Sequence, residues 1–223
     1  MVIFESNEEG RLVEADTPGA RRRRGPSTHK TAQTRAAVAR AALELFLERG
    51  YRATRIDDVA QRAGVAKGTV YLHFADKQAL FTGVISSVLE QRVDALTAAR
   101  PNADESLRDF LSRVFTPLLA AVEDSPWSGL IRLVMTEGRQ APELADIYRQ
   151  RVLEPVAGQI RHWARLAAER GELSGDPLQR SPLLLLSPAI LATMWNRLYP
   201  DEPMSAATTF EGFLDLAFGP RPR

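Results

Sequence analysis

The sequence predicts an all-α protein, and three observations carry that prediction. Apolar residues recur at helical spacing across nearly all of residues 31–218. No stretch alternates apolar and polar residues as a half-buried strand would. Glycines, prolines and capping residues stand where such helices need to start and stop.

The elements follow in order. Residues 1–29 have no period, and Pro18, Gly19, Gly25 and Pro26 surround the run Arg21–Arg24, so a disordered tail with a basic arm is expected. From Thr31 a first helix carries one apolar stripe, Val38, Ala41, Ala42, Leu45 and Phe46, and stops at Gly50. Ile56, Val59, Ala60 and Ala63 mark a shorter second helix closed by Gly64, with Thr54 expected as its N-cap and Asp57 as the reciprocal acid. A third helix runs from about Lys67 to Phe74 with Val70 and Phe74 inward. Asp76 should cap a long fourth helix through Leu80, Val84, Val88 and Leu96 that ends before Pro101.

Further helices are expected through Leu107, Phe110, Leu111, Val114 and Leu118, and over Leu130–Gly138. Another spans Pro142–Arg170, kinked at Pro155 and stopped at Gly171. Ser187–Leu198 and Ser205–Phe218 close the chain. The division expected is a tail over 1–29, a three-helix head over 30–76 and a larger helical body over 77–223.

Charge is unevenly spread although the net is only +1. Residues 1–16 carry −4, residues 17–80 carry +8 and residues 81–223 carry −3, as expected when one segment alone meets phosphate. The chain has no cysteine, which excludes disulfides, thiolate-bound zinc and thiol catalysis and fits a reducing cytoplasm. The longest uncharged stretch, Ser181–Asn196, has 16 residues and two prolines, short of the ~20 a membrane span needs. No cofactor, metal or membrane association is expected.

Residues 51–77 hold the chemistry. Two short helices, a glycine turn at Gly64, the small Ala60 where they pack and Val65 as a plug make a helix-turn-helix. The second helix of such a pair enters the major groove with its N-terminal residues nearest the base edges. Lys67, Gly68 and Thr69 are therefore expected at the bases: an amine for guanine, a backbone free to approach, and a methyl for thymine. Tyr71 and His73 fall further along, at the sugar-phosphate wall, where contacts fix register. Lys77 and Thr54 stand at helix starts, which suit a phosphate.

Thr34-Arg-Ala-Ala-Val-Ala-Arg-Ala-Ala-Leu-Glu-Leu-Phe-Leu-Glu-Arg-Gly-Tyr51, then Ile56-Asp-Asp-Val-Ala60, Gly64-Val-Ala-Lys-Gly-Thr-Val-Tyr-Leu-His-Phe74 and Lys77, resembles the N-terminal domain of TetR/AcrR-type transcriptional regulators. The resemblance covers about residues 31–80. It implies a homodimer on a palindromic operator, with a larger C-terminal bundle that binds a small, largely apolar effector and supplies the dimer interface through its last two helices. It also implies that the effector shifts the fourth helix, Lys77–Arg100, and releases DNA, as in a repressor. Two departures stand out: Ala66 replaces the usual Ser or Thr, and Arg55 replaces a frequent Thr and adds a possible phosphate or base contact.

In the body, Trp127, Met135, Tyr148, His162, Trp163 and Trp195 are candidates for the effector pocket. Leu191, Met194, Trp195, Leu198, Phe210, Phe213 and Leu214 are candidates for the dimer interface, alongside the apolar run Leu183–Leu186. The spacing of Glu137, Arg139 and His162 demands no acid–base set, so an enzyme is not expected. Three alternatives remain open: an activator or effector-independent DNA-binding protein, a helical carrier or enzyme with a basic head, and an architectural protein without sequence preference.

Overall fold

In the computed structural model, residues 28–121, 125–173 and 175–219 are described, and among them there is no strand. The expected tail and its Arg21–Arg24 arm lie outside the described residues, except that Thr28 and His29 already belong to the first helix.

Helices α1 (Thr28–Arg49), α2 (Ile56–Ala63) and α3 (Lys67–His73) form a three-helix head. Gly50 ends α1 at φ 87°, in the left-handed region where a side chain would be strained. Gly64 closes α2 at φ 67°, and Val65 N–H reaches back to Ala60 O at 3.0 Å, a Schellman closure that sets the sharp turn into α3.

The expected cap of α2 is corrected by one residue. Arg55 is the N-cap, and Asp58 rather than Asp57 returns a carboxylate to its N–H at 3.2 Å. Thr54 instead turns inward, 2 % exposed, and its hydroxyl donates to Gly50 O at 2.7 Å. It ties the end of α1 to the start of α2.

Helix α4 (Lys77–Ala98) is capped by Asp76, whose carboxylate accepts Ala79 N–H at 2.7 Å. Its 22 residues span about 33 Å. Gly83 lies on the face that receives the head: a Cβ there would meet the Phe74 ring at 2.3 Å, so only glycine lets the end of α3 seat directly on α4.

Helices α5 (Leu107–Ala120), α6 (Pro126–Glu137), α7 (Pro142–Tyr148), α8 (Glu154–Glu169), α9 (Pro177–Arg180), α10 (Ser187–Leu198) and α11 (Ala206–Phe218) complete the body. The helix expected over Pro142–Arg170 is broken in two by a π-helical turn at Arg149–Leu153, just ahead of Pro155. Proline lacks an N–H and its ring crowds the carbonyl four residues back, so the ladder widens to π spacing just before it.

Two cores result. The first joins Val38, Phe46, Val59, Val70 and Phe74 of the head to Phe81, Val84 and Leu89 of α4, Leu130 and Leu133 of α6 and Leu144 of α7. The second gathers Leu96 of α4, Phe110 and Phe115 of α5, Ile160 and Trp163 of α8 and Phe210 and Leu214 of α11. Polar bonds stitch α5 to α11 along its edge. Ser112 and Thr116 hydroxyls donate to Glu211 Oε1 at 2.5 and 2.6 Å, and the Arg108 guanidinium pairs with Asp215. Among the described residues no helix is long and apolar enough to cross a membrane.

Candidate nucleic-acid interface and ligand cavity

The outer face of α3 follows from its inner one. Val70 is fully buried and Phe74 nearly so, which turns Lys67, Gly68, Tyr71 and Leu72 outward and leaves Thr69 and His73 half-buried. Leu72, 78 % exposed, was not among the expected contacts, since its apolar side chain gave no reason to look for it there. Gly68 has open space where a Cβ would sit, so nothing inside the chain requires glycine, and the bare backbone faces outward. Ala66 supplies no side-chain cap to α3.

Charge around this face is partly committed within the chain. Lys67 Nζ lies 2.9 Å from Asp57 Oδ1, a hydrogen bond that raises its pKa, on side chains more than half exposed. Arg62 is clamped to Glu48 at 2.9 Å and Glu44 at 3.2 Å, joining α2 to α1. Arg55 is exposed.

Lys77 departs from expectation. Its amine bends back to donate to Arg52 O at 3.2 Å and sits 4.5 Å from the centre of the Tyr51 ring, and burial lowers its pKa. Its side chain therefore braces the loop after α1 instead of reaching outward. Thr54 is likewise spent internally, as its burial requires.

In the body a cavity of about 270 Å³ opens between α4, α5, α6 and the π-helical turn. Leu89, Val93 and Leu96 of α4, Phe115 of α5 and Ile131 and Val134 of α6 form much of its wall. Trp127, Met135 and Tyr148 line it. His162, Trp163 and Trp195 do not. His162 is exposed on α8, and Trp163 is 1 % exposed in the second core with its ring edge-on to Phe110 at 4.9 Å. Trp195 donates its indole N–H to Glu202 O at 2.8 Å and packs on Tyr199 at 4.6 Å. Helical spacing placed five of the six on helices, Trp127 lying ahead of the helix expected from Leu130 although α6 in fact starts at Pro126, and it did not give the rotation of each helix about its axis.

The expected dimer residues divide in the same way. Leu191, Met194 and Leu198 of α10 are 42, 48 and 63 % exposed and form an uncovered apolar stripe, beside Leu183 and Leu184. Trp195 and Phe213 are half-buried. Phe210 and Leu214 are fully buried against α5, with Phe210 5.4 Å from Phe115, so neither is available to a partner. Among the described residues no cluster of His, Asp or Glu is arranged to hold a metal ion.

Two elements reach from the cavity to the head. Helix α4 lines the cavity with its second half and packs on α1–α3 with its first. Helix α6 lines the cavity with Trp127, Ile131 and Val134, and at its end Glu137 accepts the N–H groups of Tyr51 and Arg52. Gly129 brings α6 so close to α1 that a Cβ would meet Leu47 at 2.8 Å.

Comparison with known proteins bears on both parts. Residues 38–84 match the family described as bacterial regulatory proteins, tetR family, and residues 101–211 match a tetracyclin repressor-like C-terminal domain. The chain is 34 % identical over 165 residues to the HTH-type transcriptional regulator TcmR of Streptomyces glaucescens, covering 71 % of this chain and 70 % of that protein. It is 30 % identical over 152 residues to the uncharacterized HTH-type transcriptional regulator YdeS of Bacillus subtilis, covering 68 % and 70 %. A solved SmeT–triclosan complex shares the fold, with a TM-score of 0.67 at 17 % identity over 86 % of this chain and 99 % of that one.

Proposed function

This chain belongs to the tetR family of bacterial regulatory proteins, and from that premise we propose that it is a homodimeric repressor released from a palindromic operator by a small apolar effector. Family membership makes it a helix-turn-helix DNA-binding transcriptional regulator. The single observation that carries the finer reading is the apolar cavity walled by the two helices, α4 and α6, that also hold the head.

In this reading residues 30–76 read DNA and residues 77–223 bind effector and partner. Lys67, Gly68 and Thr69 meet base edges, while Tyr71, His73 and Arg55 meet the backbone. The α10 stripe of Leu191, Met194 and Leu198 seats the second copy, since contiguous exposed apolar patches mark interaction surfaces. Two copies related by a two-fold axis present their α3 helices about one DNA turn apart, roughly 34 Å. An occupant of the cavity spreads its walls and changes that separation. A DNA-reading regulator works where the chromosome is, in the cytoplasm.

Selection of duplexes from a random pool by the purified protein tests this reading. A palindromic site bound at least ~10³-fold tighter than random DNA at fixed salt is expected. Binding to all duplexes alike would sink it, as would a monomer in sedimentation at micromolar concentration.

A further inference from the structure

The cavity is apolar except at one place. Trp127 Nε1 donates to the Tyr148 hydroxyl oxygen at 3.3 Å, and Leu96, Phe115, Ile131, Val134 and Val152 line the same cavity. A phenol offers one proton as well as its oxygen. Here the oxygen already accepts from Trp127, and among the described residues no hydrogen bond takes up the Tyr148 proton. Burial raises the Tyr148 pKa, outweighing the opposing indole bond, so the group remains a donor across the physiological range.

The place in the fold agrees. Tyr148 is the last residue of α7, immediately before the π-helical turn whose Val152 and Leu153 also line the cavity. Such turns inside helices occur frequently at functional sites. Arg92, at the cavity edge, is exposed and donates to Val88 O of its own helix at 2.7 Å, whereas Tyr148 is half-buried and its proton has no acceptor among the described residues.

We propose that Tyr148 is the polar anchor of the cavity, which selects an apolar molecule carrying one hydrogen-bond-accepting oxygen, a ketone or ether, against the same shape without it. This rests on the reading of the cavity as the effector site. A site built around a hydrogen bond rejects the analogue that cannot make it, because a buried group is then left unpaired.

Two probes of nearly equal, planar shape separate the possibilities: 2-acetylnaphthalene, with a ketone oxygen, and 2-isopropenylnaphthalene, with a methylene in its place. Binding of each to the full chain is measured by calorimetry, for wild type and for Tyr148→Phe. The ketone is expected to bind wild type about tenfold tighter (~1.4 kcal/mol), and within twofold of the hydrocarbon in Tyr148→Phe. The carbonyl stretch of bound 2-acetylnaphthalene should also shift to lower frequency than in alkane solvent, a readout that needs no variant. An unshifted stretch, equal affinities in wild type, or a ketone preference surviving in Tyr148→Phe overturns the anchor while leaving the cavity as a ligand site. Failure of both probes to bind at solubility-limited concentration overturns the cavity reading and the anchor together.

Discussion

The carboxylate of Glu137, at the end of α6, accepts the backbone N–H of Tyr51 at 3.1 Å, 86 residues away in sequence. Its second oxygen takes Arg52 N–H at 2.9 Å. One side chain of the body thus fastens the loop that follows α1 in the head.

Glu137→Ala should lower stability by about 1–2 kcal/mol, since it leaves two N–H groups without their charged acceptor; Glu137→Gln, with one acceptor oxygen, should lose about half as much. Gly50→Ala should also destabilise, by more than the ~1–2 kcal/mol of a left-handed residue, because its Cβ would lie 2.1 Å from Glu137 Oε1. Urea unfolding of the three variants checks the order. A neutral Glu137→Ala would mean that the fastening contributes nothing.

Asp57 holds Lys67 in the free protein. Asp57→Asn should therefore tighten binding to random duplexes a few-fold and narrow the margin between operator and random DNA. Lys67→Ala should relax base preference and reduce the salt slope of binding by about one. Unaltered discrimination in Lys67→Ala would remove that lysine from the base-reading set.

The Arg108 side chain is 11 % exposed and pairs with Asp215 and, at 3.8 Å, with Glu211. Both acids keep some solvent, so Arg108→Ala should cost about 2 kcal/mol, below the 3–5 of a fully buried pair. Arg108→Met should cost less, because it keeps the packing. Chemical denaturation gives both values, and loss confined to Arg108→Met would contradict the assignment.

Tyr51 is 3 % exposed, and burial first, then the nearby charges of Glu143 and Asp76, raise its pKa. The folded chain keeps this proton where the unfolded chain has lost it. The contribution is complete below the unfolded value near ~10 and is lost as pH rises beyond it. Unfolding midpoints should accordingly fall less steeply above about pH 10 in Tyr51→Phe than in wild type. Parallel curves would refute the shift.

Much of the head was legible in the sequence because its signals are local. Gly50, Gly64 and Asp76 each act on the residues beside them, and Val70 with Phe74 fixes which side of α3 faces out. The cap of α2 was misplaced by one residue since Thr54 bonds backward to Gly50 and Leu45, a preference invisible in a pattern that Ser and Thr satisfy in either direction. In the body the helices were legible but their facing was not. Whether Trp163 or Trp127 meets the cavity, and whether Phe210 or Leu191 meets solvent, depends on which other helices pack against each one. Glu137 carried no local mark of its partner either, because the atoms it holds are backbone.

Gly83 has a mechanical consequence. With the Phe74 ring seated on the bare backbone of α4, α3 is packed directly on that helix, and the two are expected to turn together. Tilting a rod of about 33 Å by about 5° at the cavity end would carry its far tip roughly 3 Å, comparable to the depth of a hydrogen bond. On the function proposed above, an ångström-scale swelling inside the body would be enough to draw the Lys67 amine away from a base edge.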